Sequence, residues 1–146
     1  MPANFIERYR FLQHTADAKF QAFGATLEEA FANAALAVAS VMWDWAKVAR
    51  NVRLPVEVRG RDLERILYNY LEEILFLLDT RAFLLAGVDN VQIEETGEGW
   101  RLIADFVGDT NPAKYEIFGE VKAVTYNEMR IEKNAEGASV QVVIDL

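Results

Sequence analysis

The sequence predicts a single α+β domain in which two helices pack on one face of a largely antiparallel β-sheet. Two segments carry apolar residues at helical spacing, at 27–45 and 62–79. Most of the remaining chain shows strand-like alternation, and the strands after residue 80 are separated only by turns or one loop, which favours antiparallel pairing. No repeat or linker divides the 146 residues, so we expect one domain over 1–146.

The N-terminal third predicts a strand or bent hairpin followed by a helix. The strand region runs from about Tyr9 to Phe23 and ends at Gly24. Thr26 and Glu29 then have the spacing of a capping box, in which each side chain satisfies a free backbone amide at the helix start. Apolar residues recur at helical spacing from there to Trp45, and the many alanines let this helix lie close to a sheet.

The middle of the chain predicts an edge strand and the second helix. Residues 52–60 alternate between apolar and polar side chains, and Pro55 places this strand at an edge or over a bulge. Gly60 ends the strand. The second helix is expected from about Asp62 to Asp79, because its apolar residues form one continuous stripe.

The C-terminal half is expected to be extended. Asp89 and Asn90 mark a possible turn within the first of its strands, and Trp100 begins a segment whose alternate residues share one apolar face. Turns at 96–99 and 134–137 and a loop at 109–120 separate the segments. The predicted strands are 83–95, 100–108, 121–133 and 138–146.

Composition excludes several classes of function. The chain has no cysteine, which rules out disulfides, thiolate metal sites and cysteine nucleophiles, and which suits a cytoplasmic location. No apolar run approaches the roughly 20 residues of a membrane span, so no membrane association is expected. The net charge of -8, with no cluster of Lys and Arg, argues against direct nucleic-acid binding. Acidity suits a cation or a basic protein partner, although it also simply favours solubility.

The chain lacks the common catalytic motifs, so a site built from carboxylates is the remaining option. Ser40 and Ser139 are the only serines and His14 is the only histidine, which argues against a catalytic triad and against a histidine-based zinc site. Two carboxylates stand out, because Asp17 interrupts an apolar strand region and Asp145 ends the last strand. Oxygen ligands of this kind suit a hard cation.

Each of these residues also has an ordinary structural interpretation. Asp145 lies one residue from the C-terminus, where fraying into water would remove the cost of its charge. His14 could be a hydrogen-bonded structural histidine. In an unbroken strand His14 and Asp17 would point to opposite faces, so they converge only if Thr15 and Ala16 form a turn or bulge.

Five quoted stretches, taken together, resemble the archease family, whose members assist RtcB-type RNA ligases. HTAD is followed by FQAFGATLEEAFANAALAV, which is similar to the family's passage from strand to helix. NYLEEILFLLDT resembles its second helix, and GEVKAVTYNEM and VVIDL resemble its two C-terminal motifs. Each piece alone is common, but their order and intervals along nearly the whole chain make the resemblance specific.

The resemblance implies an accessory protein that is not itself an enzyme. RtcB-type ligases join RNA in tRNA splicing and RNA repair through a guanylylated active-site histidine, using GTP and Mn²⁺. A member of this family is expected to promote that guanylylation and allow multiple turnover. A chaperone-like binding module for a tRNA-modifying enzyme, such as a tRNA methyltransferase, is the alternative. A metal-dependent hydrolase using the two aspartates is a third possibility.

The resemblance also implies a set of site residues. A divalent cation would be held by Asp17 and Asp145, with an oxygen of the C-terminal Leu146 able to contribute. His14 would shape this site, and Lys122 could contact the ligase or its nucleotide. The chain departs from the family pattern at Gln13, Ala18, Lys19 and Asn127. Since Asn127 occupies a position where many members have His, an oxygen-rich site for Ca²⁺, Mg²⁺ or Mn²⁺ is expected.

Overall fold

A computed structural model describes residues 7–14 and 17–146 of the chain. It contains two α-helices and seven β-strands, together with two short 3₁₀ turns at Trp45–Lys47 and Pro112–Lys114. In chain order these elements are β1 (Tyr9–Leu12), β2 (Ala18–Gly24), α1 (Leu27–Ser40), β3 (Val52–Gly60), α2 (Leu63–Arg81), β4 (Leu84–Thr96), β5 (Gly99–Asp109), β6 (Ala123–Asn134) and β7 (Gly137–Asp145).

The strands form two antiparallel sheets. One sheet has the order β1-β2-β7-β6 and the other has the order β3-β5-β4, and each pairing described is antiparallel. The predicted α+β class, with two helices and antiparallel strands in a single domain, is therefore confirmed. The strands are divided between two sheets, whereas the sequence was expected to build one.

The burial of α1 explains why two sheets are needed. Ten of its fourteen residues are buried, and they lie all round the helix. A helix that is apolar on every side must be covered on every side. It contacts β2 and β7 of the four-stranded sheet and β4 of the three-stranded sheet. The second helix also joins the sheets, because it contacts β6 on one side and β3 and β5 on the other.

The ends of the helices follow the predicted signals with two differences. Thr26 Oγ1 accepts a hydrogen bond from the Glu29 N–H at 3.1 Å, as a capping box requires. The Glu29 carboxylate accepts from the Ala25 N–H instead of the Thr26 N–H. The helix ends at Ser40 and does not continue to Trp45. Beyond it, the buried Trp43 donates its indole N–H to the Leu85 carbonyl at 2.9 Å, which turns the chain towards β4.

The predicted edge strand is confirmed, whereas the turn predicted within β4 is not formed. Pro55 lies in β3, which is an edge strand of its sheet, as its missing N–H predicts. The chain does not reverse at Asp89 and Asn90. Instead β4 continues through a bulge there, with Asn90 in the left-handed region at φ 57°. The Asn90 amide donates to Asp105 across the bulge at 2.9 Å.

In the described part of the chain, neither helix combines the length and the apolar character needed to cross a bilayer. The cytoplasmic location stays a prediction.

Replacing Thr26 by Ala tests the cap of α1. Loss of the Thr26–Glu29 hydrogen bond should lower the free energy of unfolding by about 1 kcal/mol, measured by urea denaturation. Thr80→Ala is the matched control, because the Thr80 hydroxyl bonds the Phe76 carbonyl on the exposed side of α2 and its loss should change stability by less than about 0.5 kcal/mol. Equal effects of the two substitutions would contradict the assigned role of the cap.

Candidate functional site

Several elements end together at one end of the molecule. The last residue of β5, Asp109, pairs with Leu84 at the start of β4, three residues beyond the last residue of α2. The indole of Trp43, just after α1, reaches Leu85 beside it. The helices lie side by side through Phe31 and Tyr70, so the C-terminal ends of both helices reach this end of the molecule.

Two further hydrogen bonds bring the end of β7 to the same place. The Phe118 N–H donates to the Met42 carbonyl beyond α1 at 2.9 Å. Four residues later, the Lys122 N–H donates to the Asp145 carbonyl at 2.8 Å. We call this region the carboxyl end, and it comprises the last residues of α1, α2, β5 and β7 together with the segment 115–122.

Asp17 and Asp145 are placed at the carboxyl end by the pairing of β2 with β7. Ala18 pairs with Ile144 as the first pair of this ladder. Asp17 lies in a bend directly before Ala18, and Asp145 directly follows Ile144, so the two aspartates adjoin the same end of this ladder. Both side chains are partly buried. Asp145 is held on its other side by pairing with Ala123, so its main chain does not fray.

The donor atoms at this position suit a hard cation but leave its coordination incomplete. No group of three or more His, Cys, Asp or Glu side chains in 7–14 and 17–146 is arranged to hold a metal ion. Two aspartates and an oxygen of Leu146 would supply a few oxygen ligands, whereas Ca²⁺ takes six to eight. Main-chain oxygens, water or a partner would have to provide the rest. The metal site at Asp17, Asp145 and Leu146 stays a prediction.

His14 lies in a polar cluster with Glu128 and Lys19. Its Nε2 is 3.2 Å from Glu128 Oε2, and Lys19 Nζ donates to Glu128 Oε1 at 2.9 Å. His14 Nδ1 is buried and has no hydrogen-bond partner among the described residues. The turn or bulge predicted at Thr15 and Ala16 lies outside the described residues. The structure thus brings His14 to a glutamate that the sequence analysis did not single out.

Glu128 reaches His14 and Lys19 because β6 is bulged. Thr125 pairs with Val143 and Arg130 with Gln141, so residues 126–129 lie opposite a single residue of β7. Glu128 itself is left-handed at φ 52°, which is uncommon for a residue with a side chain. The sequence did contain a signal, since the inward positions Val124 and Met129 are an odd number of residues apart and cannot share a face of a regular strand.

Two glutamines stabilise the main chain of the bulge. The amide of the buried Gln141 donates to the Glu128 carbonyl at 2.7 Å. The amide of Gln21 donates in turn to the Gln141 side-chain oxygen at 3.0 Å. These bonds satisfy a carbonyl that the sheet ladder leaves free, so the bulge is a fixed feature of the fold.

Helix α2 supports the same strand from outside. The Tyr68 and Tyr126 rings stack with centroids 4.5 Å apart and an interplanar angle of 8°. One helical turn further along, Glu72 Oε2 accepts a hydrogen bond from the Val124 N–H at 2.8 Å. The two contacts fix the first half of β6 against α2, and with it Lys122, whose side chain is exposed beside Asp145.

At the carboxyl end, some acidic side chains have basic partners and others have none among the described residues. The hydrogen bond from Lys19, followed by that from His14, holds the pKa of Glu128 below its usual value. No such pairing is described for Asp17 or Asp145 in the ranges 7–14 and 17–146. The C-terminal ends of two helices add partial negative charge. A cation or a basic partner would be attracted to this end.

Comparison with known proteins places this architecture in a family. The model of the Archease protein family matches residues 9–146, which include every element of both sheets. The chain belongs to the archease family. Protein archease of Methanosarcina barkeri is 41% identical over 143 residues, which cover 96% of this chain and 97% of the relative. Protein archease of Thermococcus gammatolerans is 43% identical over 143 residues, or 97% of this chain and all of the relative.

A solved structure supports the same family assignment. The solution structure of protein 1598 from Methanobacterium thermoautotrophicum aligns with a TM-score of 0.81 at 36% identity, covering 95% of this chain and 99% of that one. The resemblance to the archease family inferred from the sequence is therefore confirmed, and with it the fold.

The polar cluster predicts a defined titration of Glu128. Lys19→Met should raise the pKa of Glu128 towards its usual value more than His14→Gln does, as measured by NMR of the side-chain carboxyl. Because the folded-state pKa is lowered, the cluster stabilises the fold above the unfolded-state pKa of this glutamate. That contribution is lost as pH falls through the folded-state pKa. A larger effect of His14→Gln would contradict the assigned order of contacts.

Proposed function

We propose that this chain is an accessory factor of an RtcB-type RNA ligase in tRNA splicing or RNA repair. It promotes guanylylation of the ligase and allows multiple turnover, and the bond-making chemistry belongs to the ligase. Membership of the archease family supports this role. The observation that best supports it is the pairing of Ala18 with Ile144, because Asp17 and Asp145 are the residues next to this pair at the same end of the ladder.

The proposed site uses residues from both ends of the chain. Asp17, Asp145 and an oxygen of Leu146 would hold a divalent cation, either Ca²⁺, Mg²⁺ or Mn²⁺. When bound, this cation supplies positive charge that can neutralise phosphate oxygens of the nucleotide at the ligase. Lys122 is exposed and its main-chain N–H donates to the Asp145 carbonyl, so this residue would supply a second positive charge near the site.

His14 acts in this proposal as a positioning residue. It contacts Glu128, which is fixed by the bulge of β6, and it begins the segment that leads to Asp17. Anchoring one end of that segment limits the positions open to Asp17. Direct binding of RNA is not part of the proposed role, since the net charge of -8 opposes contact with phosphate backbones.

A chaperone-like module for a tRNA-modifying enzyme, such as a tRNA methyltransferase, is the second candidate. Exposed apolar side chains at the carboxyl end favour it, because such surfaces bind other proteins. In that role the chain would suppress client aggregation at stoichiometric amounts, and the effect would not depend on Asp17, Asp145 or added metal.

The accessory role predicts catalytic stimulation of the ligase. Substoichiometric amounts of the chain should raise ligase guanylylation and turnover, followed with radiolabelled GTP and a broken RNA substrate. Asp17→Ala, Asp145→Ala or removal of Leu146 should abolish the gain. Glu98→Ala is the matched control, because this carboxylate lies in the β4–β5 turn at the other end of its sheet. Full stimulation by both aspartate variants would refute the proposed site.

The cation site predicts a metal-dependent gain in stability. A cation that binds only the folded chain should raise the free energy of unfolding by about 2.7 kcal/mol at 100 times its dissociation constant. Urea denaturation with and without Ca²⁺ or Mn²⁺ measures this gain. Asp145→Asn should remove it, whereas Glu98→Gln should not. An equal gain in the Asp145→Asn variant would place the cation elsewhere.

A further inference from the structure

One carboxylate contacts residues on both sides of Asp17 in the chain. Glu128 Oε2 lies 3.2 Å from Nε2 of His14, three residues before Asp17. Glu128 Oε1 accepts a hydrogen bond at 2.9 Å from Nζ of Lys19, two residues after Asp17. The side chains of His14 and Lys19 are 23% and 18% exposed, so both are largely covered in this arrangement. Glu128 therefore links both sides of the segment that carries Asp17 to β6.

The His14 ring depends on Glu128 for its orientation. The described ladder of β1 and β2 ends at Leu12, so His14 lies beyond its last pair. His14 Nδ1 is buried without a partner among the described residues, which leaves Nε2 as the ring atom with a described hydrogen bond. Because an ionised carboxylate only accepts hydrogen bonds, Nε2 carries the proton in this contact. Glu128 thus determines both the orientation and the tautomer of His14.

The polar cluster lies on the face of β7 that carries Asp145. Lys19 pairs with Val143, and directly opposite residues of an antiparallel pair share a face. Asp145 is two residues further along β7, which places it on the same face about 7 Å away. Gln141, two residues before Val143, donates from its side chain to the Glu128 carbonyl. The bulge of β6 therefore reaches over this face towards Lys19.

The backbone of Glu128 does not account for a glutamate at this position. Its φ of 52° lies in the left-handed region, which glycine adopts freely and residues with a Cβ adopt rarely. Such residues persist where the surrounding structure holds them, and they cluster at functional sites. The two side-chain contacts with His14 and Lys19 supply a reason for glutamate that the turn itself does not.

We propose that Glu128 is a positioning residue of the cation site, which holds Asp17 near the end of β7 where Asp145 lies. This inference rests on the proposed function, because Asp17 and Asp145 are the cation ligands assigned there. Both oxygens of Glu128 are used by His14 and Lys19, so Glu128 acts through the chain segment and not as a ligand. Since these contacts need no metal, Asp17 is held in place before the cation binds.

Replacing Glu128 by Gly tests this role without straining the main chain. Glycine removes both carboxylate contacts and suits φ 52°, so the variant is expected to fold. NMR relaxation of the metal-free chain should show the order parameters of Asp17 and His14 falling from about 0.85 to below about 0.6. Long-range proton–nitrogen spectra should show that His14 no longer keeps one tautomer. Calorimetric titration with Mn²⁺ should show an affinity about tenfold lower.

Two controls and one conservative variant accompany this test. Asn90→Gly replaces another left-handed residue, in the bulge of β4 in the other sheet, and should leave the order of Asp17 and the Mn²⁺ affinity unchanged. Glu132→Ala removes an exposed carboxylate of β6 outside the polar cluster and should also change neither. Glu128→Gln keeps one accepting oxygen and should give an intermediate affinity. Urea denaturation of each variant separates a loss of position from a loss of stability.

The outcomes separate this inference from the proposed function. If folded Glu128→Gly keeps either the order of Asp17 or the Mn²⁺ affinity of the unmodified chain, the positioning role is refuted, whereas the cation site and the accessory role stand. If the unmodified chain binds no Mn²⁺, the cation site is refuted together with the role of Glu128 in it. Should Glu128→Gly not fold, the double variant His14→Gln with Lys19→Met removes the same two contacts, and the same measurements decide.

Discussion

The pairing of β2 with β7 is the interaction on which the candidate site depends. It joins Ala18, near the start of the chain, to Ile144, near its end, in the middle of a four-stranded sheet. The inward residues of both strands are fully buried, including Phe20 and Ile144, so a slip of the register by one residue would turn these side chains to the opposite face. The hydrophobic core thereby fixes the pair Ala18 and Ile144, whose chain neighbours Asp17 and Asp145 adjoin the same end of the ladder. Burial of the core residues of β2 and β7 therefore determines where these two aspartates lie.

The burial of α1 has a similar consequence for the charges around that site. Because this helix is apolar all round, it must lie between two sheets, with α2 beside it. Both helices then end at the same end of the molecule, along with β5 and β7. Their aligned C-termini add negative potential at a position that already contains two aspartates. A fold that ran one helix in the opposite direction would place a positive helix end there and would partly cancel this potential.

Local patterns in the sequence predicted the individual helices and strands well. They did not predict how segments far apart in the chain pair or pack. The N-cap at Thr26, the edge strand with Pro55 and the apolar stripe of α2 were all visible as local signals, and each is confirmed, although Glu29 bonds the N–H of Ala25 and not that of Thr26. Division into two sheets was not predicted, because alternation shows that a strand has a buried face without showing which strands it joins. The end of α1 was placed too late, since Val41, Met42 and Trp45 continue the apolar spacing although the helix ends at Ser40 and the chain turns towards β4.

The polar cluster around Glu128 shows most clearly where sequence reasoning stopped. HTAD and VVIDL identified His14, Asp17 and Asp145, but nothing near Glu128 indicated a partner for His14, which is 114 residues away in the chain. The bulge that brings them together exists because Val124 and Met129 both face inward at an odd spacing, and Gln141 and Gln21 satisfy the main chain that the bulge leaves free. Hydrogen bonds from Lys19 and His14 hold the pKa of Glu128 below its usual value, so this carboxylate already has partners within the fold. The polar cluster therefore links residues near the start of the chain to the bulge of β6, the strand that pairs with β7 where Asp145 lies.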